Sequence, residues 1–204
     1  MEIKKLTDLY SDENTYFLIE KGEAVVIDPG SPYEKIMEFS KDFKIKYIFL
    51  THCHFDHISA VNKIVEETGA KVCCSDECRE NIKNVNISLT RMGLGKPETI
   101  DEVYMSFEDG DEFDFSGNII KIIKTPGHTN CSVCYKTENL LFSGDTLFYQ
   151  CVGRHDLPTG NGDILYYSIK DKIFSLSDET VVYPGHGTET TIGYEKKFNF
   201  FMKG

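Results

Sequence analysis

The chain has 204 residues, of which 40% are hydrophobic and 27% charged, the proportions of a soluble globular protein rather than a disordered or fibrous one. Its 22 basic and 33 acidic residues leave a formal net charge of −11, a field that phosphate contacts would have to overcome, so no nucleic-acid partner is expected. That length predicts one domain over 1–204, with a core large enough to need no cross-links.

The first residues, Met1 to Asp8, carry charge at once and lack the apolar stretch of a signal peptide. No apolar run approaches the ~20 residues that span a bilayer, so no membrane partner is expected. The seven cysteines are odd in number and scattered, which predicts free thiols in a reducing, cytoplasmic compartment.

Tyr16–Glu20 and Ala24–Asp28 are short apolar runs around Lys21-Gly22, a hairpin signal. Asp28-Pro29-Gly30-Ser31-Pro32 breaks the second run, and Pro32 suits the first turn of a helix to about Asp42. Tyr47–Leu50 reads as a buried strand ending in the polar cluster Thr51–His57, after which Ile58, Val61, Ile64 and Val65 recur at helical spacing up to Gly69. A strand at Ala70–Cys74 and a short helix near Ser75–Lys83 follow, then a surface excursion over 84–102 that holds Gly93, Gly95 and Pro97. Strands are predicted at 103–107, 111–115, 118–124, 131–136 and 139–142, with turns at Asp109-Gly110 and Ser116-Gly117-Asn118. A loop at 144–162, a helix at 163–176, a strand at Val181–Tyr183 and a helix after Gly193 complete the order.

Three of the six histidines crowd into Thr51-His52-Cys53-His54-Phe55-Asp56-His57. His52 and His54, two apart in an extended segment, project to the same side and can share a metal. Asp56 and His57 follow in the turn, where they can face a second ion. Each later loop after an apolar strand adds one ligand type: His128 in Thr125-Pro126-Gly127-His128-Thr129, Asp145 in Ser143-Gly144-Asp145-Thr146, and His186 in Pro184-Gly185-His186-Gly187. Imidazole with carboxylate suits Zn²⁺, and also Fe or Mn, better than Mg²⁺ or Ca²⁺. Five histidines and two aspartates suffice for two ions sharing one carboxylate.

In this order the motifs resemble those of metallo-β-lactamase-fold hydrolases, in the branch of small glyoxalase II-like (hydroxyacylglutathione hydrolase-like) proteins. The resemblance covers nearly the whole chain and implies an α/β fold of four layers, an αβ/βα sandwich with the metals at one edge between two sheets. It implies two divalent ions, zinc first among them: one on His52, His54 and His128, the other on Asp56, His57 and His186, with Asp145 bridging. Two such ions lower the pKa of a water from 15.7 toward ~7, so that hydroxide attacks an acyl carbon while the oxyanion is stabilised by the same charges. Asp56 and Asp145 are thereby the catalytic carboxylates, and a small acyl thioester is the implied substrate.

Cys151 to Gly160 is similar to the Gly-Arg-x-Asp-x-Pro stretch that lines the pocket in small glyoxalase II-like proteins; Arg154 would pair with a substrate carboxylate or with Asp156. Full-length glyoxalase II adds a C-terminal helical extension that holds glutathione, whereas residues 187–204 alone follow His186, so the thiol carrier is open. A mononuclear iron persulfide dioxygenase shares the Gly153-Arg154-x-Asp156 stretch and is the alternative reading, with a small lactonase or β-lactamase third. Cys131-Ser132-Val133-Cys134 invites a redox role, but its place on a predicted strand favours packed, passive thiols. The run Glu108 to Glu112 reads as a solvated hairpin turn.

Overall fold

Strand alternation decides the architecture. In the computed structural model, which describes residues 1–93, 99–100 and 102–203, β1 (Glu2–Thr7), β2 (Asn14–Glu20), β3 (Glu23–Ile27), β4 (Lys44–Phe49), β5 (Lys71–Ser75) and β6 (Met105–Phe107) form one sheet in sequence order. Strands β7 (Glu112–Phe115), β8 (Asn118–Lys124), β9 (Val133–Thr137) and β10 (Leu140–Gly144) build the second sheet. A small ribbon of β11 (Leu147–Phe148) and β12 (Cys151–Val152) stands apart, and β13 (Val181–Pro184) and β14 (Thr190–Thr191) complete the second sheet in the order β14-β13-β10-β9-β8-β7.

Successive side chains point to opposite faces, and the cores sort accordingly. Tyr16, Leu18, Val25, Ile27, Phe49 and Cys73 of the first sheet meet Ile120, Ile122, Val133, Tyr135 and Phe142 of the second in one shared layer. Their neighbours Phe17, Ile19, Val26, Ile48 and Cys74 face outward under α1 (Tyr33–Phe39), α3 (Val61–Thr68) and α4 (Asp76–Asn81). On the far side Ile123, Cys134, Leu141 and Val182 pack under α5 (Gly162–Tyr167), its π-helical continuation Ser168–Ile173 and α6 (Ile192–Phe198). The result is the four-layer αβ/βα sandwich that the motifs implied. Burying each large side chain of the shared layer is worth about 1.5–3 kcal/mol, so this layer fixes how the two sheets face one another.

Most predicted elements are present, with several corrections. The expected strand pair around Lys21-Gly22 is β2–β3, and Ser116-Gly117 joins β7 to β8. The helical spacing from Ile58 to Gly69 is two pieces, because α2 (Phe55–Ile58) begins inside the histidine cluster and is followed by α3. β1 was not foreseen, and neither was the β11–β12 ribbon inside the expected 144–162 loop. The run Glu108 to Glu112 is no hairpin: it carries the chain from β6, parallel to β5 in the first sheet, to β7 in the second. Cys131 lies in the turn before β9 rather than on a strand, buried with its Sγ 3.2 Å from Thr129 Oγ1. Gly95 and Pro97 lie outside the described residues.

All seven cysteines are free; six are buried and Cys151 alone is exposed. Cys73 and Cys74, adjacent on β5, face opposite layers, as strand alternation requires. Among the described residues no helix is long and apolar enough to cross a membrane.

Candidate metal centre

The loops that follow β4, β8, β10 and β13 open at one edge of the sandwich, and they carry His52 and His54, His128, Asp145, and His186 respectively. Cross-links fix these loops to one another: Val133 N donates to Thr51 O (2.8 Å), Gly185 N to Gly144 O (2.9 Å) and Asn14 N to Gly185 O (2.8 Å). β10 and β13 run parallel side by side, so their C-terminal ends deliver Asp145 and His186 together. α2 starts at Phe55, which turns Asp56 and His57 back toward His186. All seven residues singled out by the motifs therefore converge.

They form two trios. Ligand atoms of His52, His54 and His128 lie within 4.8 Å of one another, and so do those of Asp56, His57 and His186. Asp145 lies between them: its Oδ1 is 3.3 Å from His57 Nε2 and 3.7 Å from His186 Nε2, while its Oδ2 is 3.6 Å from His128 Nε2. Each carboxylate oxygen faces a different trio, which is the geometry a bridging ligand needs.

Hydrogen bonds at the outer nitrogens set the tautomers. Thr51 donates its backbone N–H to Asp28 Oδ1 (2.7 Å) and its hydroxyl to Asp28 Oδ2 (2.6 Å). With that proton committed, Thr51 Oγ1 can only accept from His52 Nδ1, 3.0 Å away. His57 Nδ1 donates to Asp28 Oδ2 (3.0 Å), His128 Nδ1 to Arg154 O (2.6 Å) and His186 Nδ1 to Ser11 O (3.0 Å). In their neutral forms these four imidazoles turn an Nε2 lone pair inward, the arrangement of metal-ligating histidines. His54 faces its trio through Nδ1, 2.9 Å from His128 Nε2, and His57 Nε2 lies 3.2 Å from His186 Nε2. Ligand atoms on one tetrahedral ion with bonds of about 2.0–2.1 Å sit about 3.3 Å apart, close to both spacings.

A cation also answers two of the unmet polar atoms. His52 Nε2 and Asp145 Oδ1 are buried with no hydrogen-bond partner in the protein. An unpartnered buried polar atom carries a desolvation cost of about 1–3 kcal/mol, which coordination would remove. The donor set, imidazole nitrogen with carboxylate oxygen and no thiolate, fits Zn²⁺, Fe or Mn.

The charges are arranged to match. Burial, reinforced by the neighbouring histidines, pushes His52 well below the usual imidazole range and His54 down to about 4, so both stay neutral donors. Burial opposes charge on His57 as well, but Asp145 and Asp56 outweigh it and hold that imidazole well above its usual value. His186 is raised too, its burial offset by the Asp56 hydrogen bond and by Asp145. For Asp145 burial is overcome by His57, His128 and His186, which hold the carboxyl well below its usual range; Asp56 is lowered in the same way, with His57 the main opposing influence.

Sequence reasoning gave the seven candidate ligand residues and missed most of what holds them. Asp28, marked in the sequence only by the Pro-Gly turn it begins, aligns His57 directly and His52 through Thr51. Thr51, Ser11 and the backbone carbonyl of Arg154 carried no sequence signal for their tasks. The Arg154 guanidinium is exposed and pairs with Asp156 through two contacts of 3.0 Å, the second of the two roles considered for it. Glu13, fully buried, had no motif to mark it; burial, with Asp28 and Asp56 adding to it against His57, pushes its carboxyl well above the usual range. His155, without a motif partner, sits in a loop against Phe201.

Comparison with known proteins agrees with this geometry. The BLEG-1 B3 metallo-beta-lactamase superposes with a TM-score of 0.92 at 32% identity over 100% of both chains. TTHA1623 in a di-iron-bound form gives 0.85 at 32% identity, covering 98% of this chain and 100% of the other. The hydroxyacylglutathione hydrolase GloC of Haemophilus influenzae is 29% identical over 188 residues, 90% of this chain and 89% of that protein. The family model of the metallo-beta-lactamase superfamily matches residues 11–186, a span that takes in every residue of both trios. The chain belongs to the metallo-beta-lactamase superfamily and is a metallo-hydrolase of that fold.

Proposed function

We propose that the protein hydrolyses a small acyl thioester of the hydroxyacyl-thiol type at a site holding two divalent cations, zinc first and iron or manganese as alternatives. The observation that carries this reading is Asp145, whose two oxygens face two separate nitrogen-rich trios. His52 through Nε2, His54 through Nδ1 and His128 through Nε2 would hold one ion; Asp56, His57 and His186 would hold the other, with Asp145 shared. Bound there, the ions supply Lewis acidity, a water acidic enough to ionise near pH 7 and charge to match an oxyanion. The likeness to GloC supports the thioester, and the likeness to TTHA1623 supports two ions.

The chain's own residues define the approach. His52 and His57 are fully enclosed, whereas the side chains of Asp56 and His186 are about a quarter exposed, at 24% and 23%. Substrate and water therefore reach the centre from the side of the second trio, past the Phe148 ring, which stands edge-on 6.0 Å from His186. Asp56, with Oδ2 3.4 Å from His186 Nε2, is placed to accept a hydrogen bond from the attacking water and to keep it oriented. Asp28 and the carbonyls of Ser11 and Arg154 keep a proton on the outer nitrogen of each neutral ring, which leaves Nε2 as the inward-facing donor atom. The free thiols support a cytoplasmic location.

The test is elemental analysis of the purified protein beside an S-lactoylglutathione hydrolysis assay. Two ions per chain with thioester turnover are expected. One iron per chain, with oxygen consumed on adding glutathione persulfide, would replace the hydrolase by the persulfide dioxygenase; turnover of a β-lactam or lactone with none of the thioester would shift the substrate class.

A further inference from the structure

Glu13 is a fully buried acid outside both trios, and three of the segments that build the second trio meet on it. Its backbone bridges to His186. Its amide donates to Ser11 Oγ (3.4 Å), and Ser11 is the residue whose carbonyl accepts from His186 Nδ1. The adjoining Asn14 holds the other side of the same loop, with Nδ2 donating to Pro184 O (3.1 Å) and Gly187 O (2.9 Å). The carboxyl reaches the opposite way. Thr15 Oγ1 lies 3.3 Å from both of its oxygens, and Ser31 Oγ lies 3.5 Å from Oε2. There the 28–31 loop crosses the first turn of α2 so closely that a Cβ on Gly30 would stand 1.5 Å from the Asp56 carbonyl oxygen and 2.8 Å from the Glu13 carboxyl carbon. That loop begins at Asp28, which holds His57 directly and reaches His52 only through the Thr51 hydroxyl.

One side chain and its backbone therefore touch the His186 loop and the loop that orients His57, and the latter packs on the turn that carries Asp56. None of these contacts involves His52, His54 or His128. We propose that Glu13 is the positioning residue of the second trio: it keys the 28–31 loop, the start of α2 and the 184–187 segment to one another, and so sets the affinity for the second cation without binding it. This rests on the two-ion reading of the centre. Residues behind metal ligands that fix their orientation change metal affinity by about 10–100-fold when replaced.

The test compares Zn²⁺ binding by metal-free wild type, Glu13→Gln and Glu13→Met, using competition with a chromophoric chelator and elemental analysis. Gln keeps the shape and hydrogen-bonding reach, and Met keeps the length while losing both polar atoms. Wild type and Glu13→Gln are expected to take two ions with matching affinities. Glu13→Met is expected to keep the first at wild-type affinity and to bind the second about 10–100-fold more weakly. Loaded with Mn²⁺, it should give the paramagnetic resonance signal of an isolated ion where wild type gives a coupled pair. Thr15→Val, an isosteric change that removes the hydroxyl between Glu13 and Ser31, serves if Glu13→Met does not fold, and should weaken the second ion alone by about fivefold, the worth of one hydrogen bond. Two ions at wild-type affinity in these variants, or equal loss from both trios, overturns the proposal. A wild type that takes a single ion overturns it together with the two-ion reading.

Discussion

Replacing Asp28 by asparagine should disarm the metal centre without disturbing the fold. Asp28 has φ +49°, a left-handed conformation that Asn tolerates as well as Asp, so the backbone gives no reason for collapse. The change removes one acceptor atom. Oδ1 must remain oxygen, because it faces the Thr51 backbone N–H at 2.7 Å, so the new NH₂ falls where Oδ2 receives both the Thr51 hydroxyl and His57 Nδ1. That amide can only donate. His57 would then offer Nδ1 as acceptor and carry its proton on Nε2, and the Thr51 hydroxyl, losing its acceptor, would donate to His52 Nδ1 with the same consequence. One substitution thus protonates a ligand atom in each trio.

Each hydrogen bond lost at a charged acceptor is worth about 1.5–3 kcal/mol, roughly a 10- to 150-fold change in affinity. We expect Zn²⁺ affinity to fall about 10–100-fold at both trios, read by chelator competition, with ¹⁵N chemical shifts reporting the tautomers of His52 and His57. Wild-type affinity in a folded Asp28→Asn protein would refute the view that this carboxylate sets the tautomers.

Three further outcomes are expected. Gly185→Ala places a methyl 2.3 Å from Asp145 Oδ1 and 2.8 Å from His57 Cε1, so elemental analysis should find less than the full metal content while far-UV circular dichroism is unchanged; full loading would show that the loop yields freely. In chelated protein, NMR titration should find His57 and His186 protonating above pH 6.5 and His54 near 4. By linkage the raised pair stabilises the metal-free fold fully below pH 6.5 and loses that contribution as the pH rises through the folded values, so midpoints for His57 and His186 below 6.5 would contradict the charge arrangement. Replacing Cys131 and Cys134 together by Ser should leave turnover within about threefold, because both thiols are packed and the Cys134 thiol is pushed up to about 11 by burial; a hundredfold loss would assign them chemistry.

The candidate ligands were legible because metal chemistry constrains residue type as well as position. A His-x-His-x-Asp-His run and three Gly-flanked acids or imidazoles at strand ends leave few other readings. The strands were legible where alternation or a continuous apolar run marked them, as at Tyr47–Leu50. β1 escaped because Glu2–Thr7 holds two adjacent lysines and exposes parts of both faces at the sheet edge. The β11–β12 ribbon escaped because two-residue strands carry no period. The groups behind the candidate ligands were invisible for another reason: Ser11 and Arg154 act through backbone carbonyls, which every residue owns, while Thr51 depends on Asp28, and Glu13 on Ser31 and His186, all distant in the sequence. Spacing encodes local geometry, and these tasks arise only when the sheets dock.

The thiols give this protein a built-in clock for its own opening. Six sit inside the layers and Cys151 alone meets solvent, on the ribbon just ahead of Gly153, whose Cβ position abuts His128. A bulky maleimide should therefore take up one equivalent at once and the rest only as fast as the sandwich opens. The first mass increment would mark the rim of the cleft with a reporter, and the later ones would time unfolding. Repeated with and without metal, the same trace would show whether the cation slows the opening of both sheets or only of the edge that holds it.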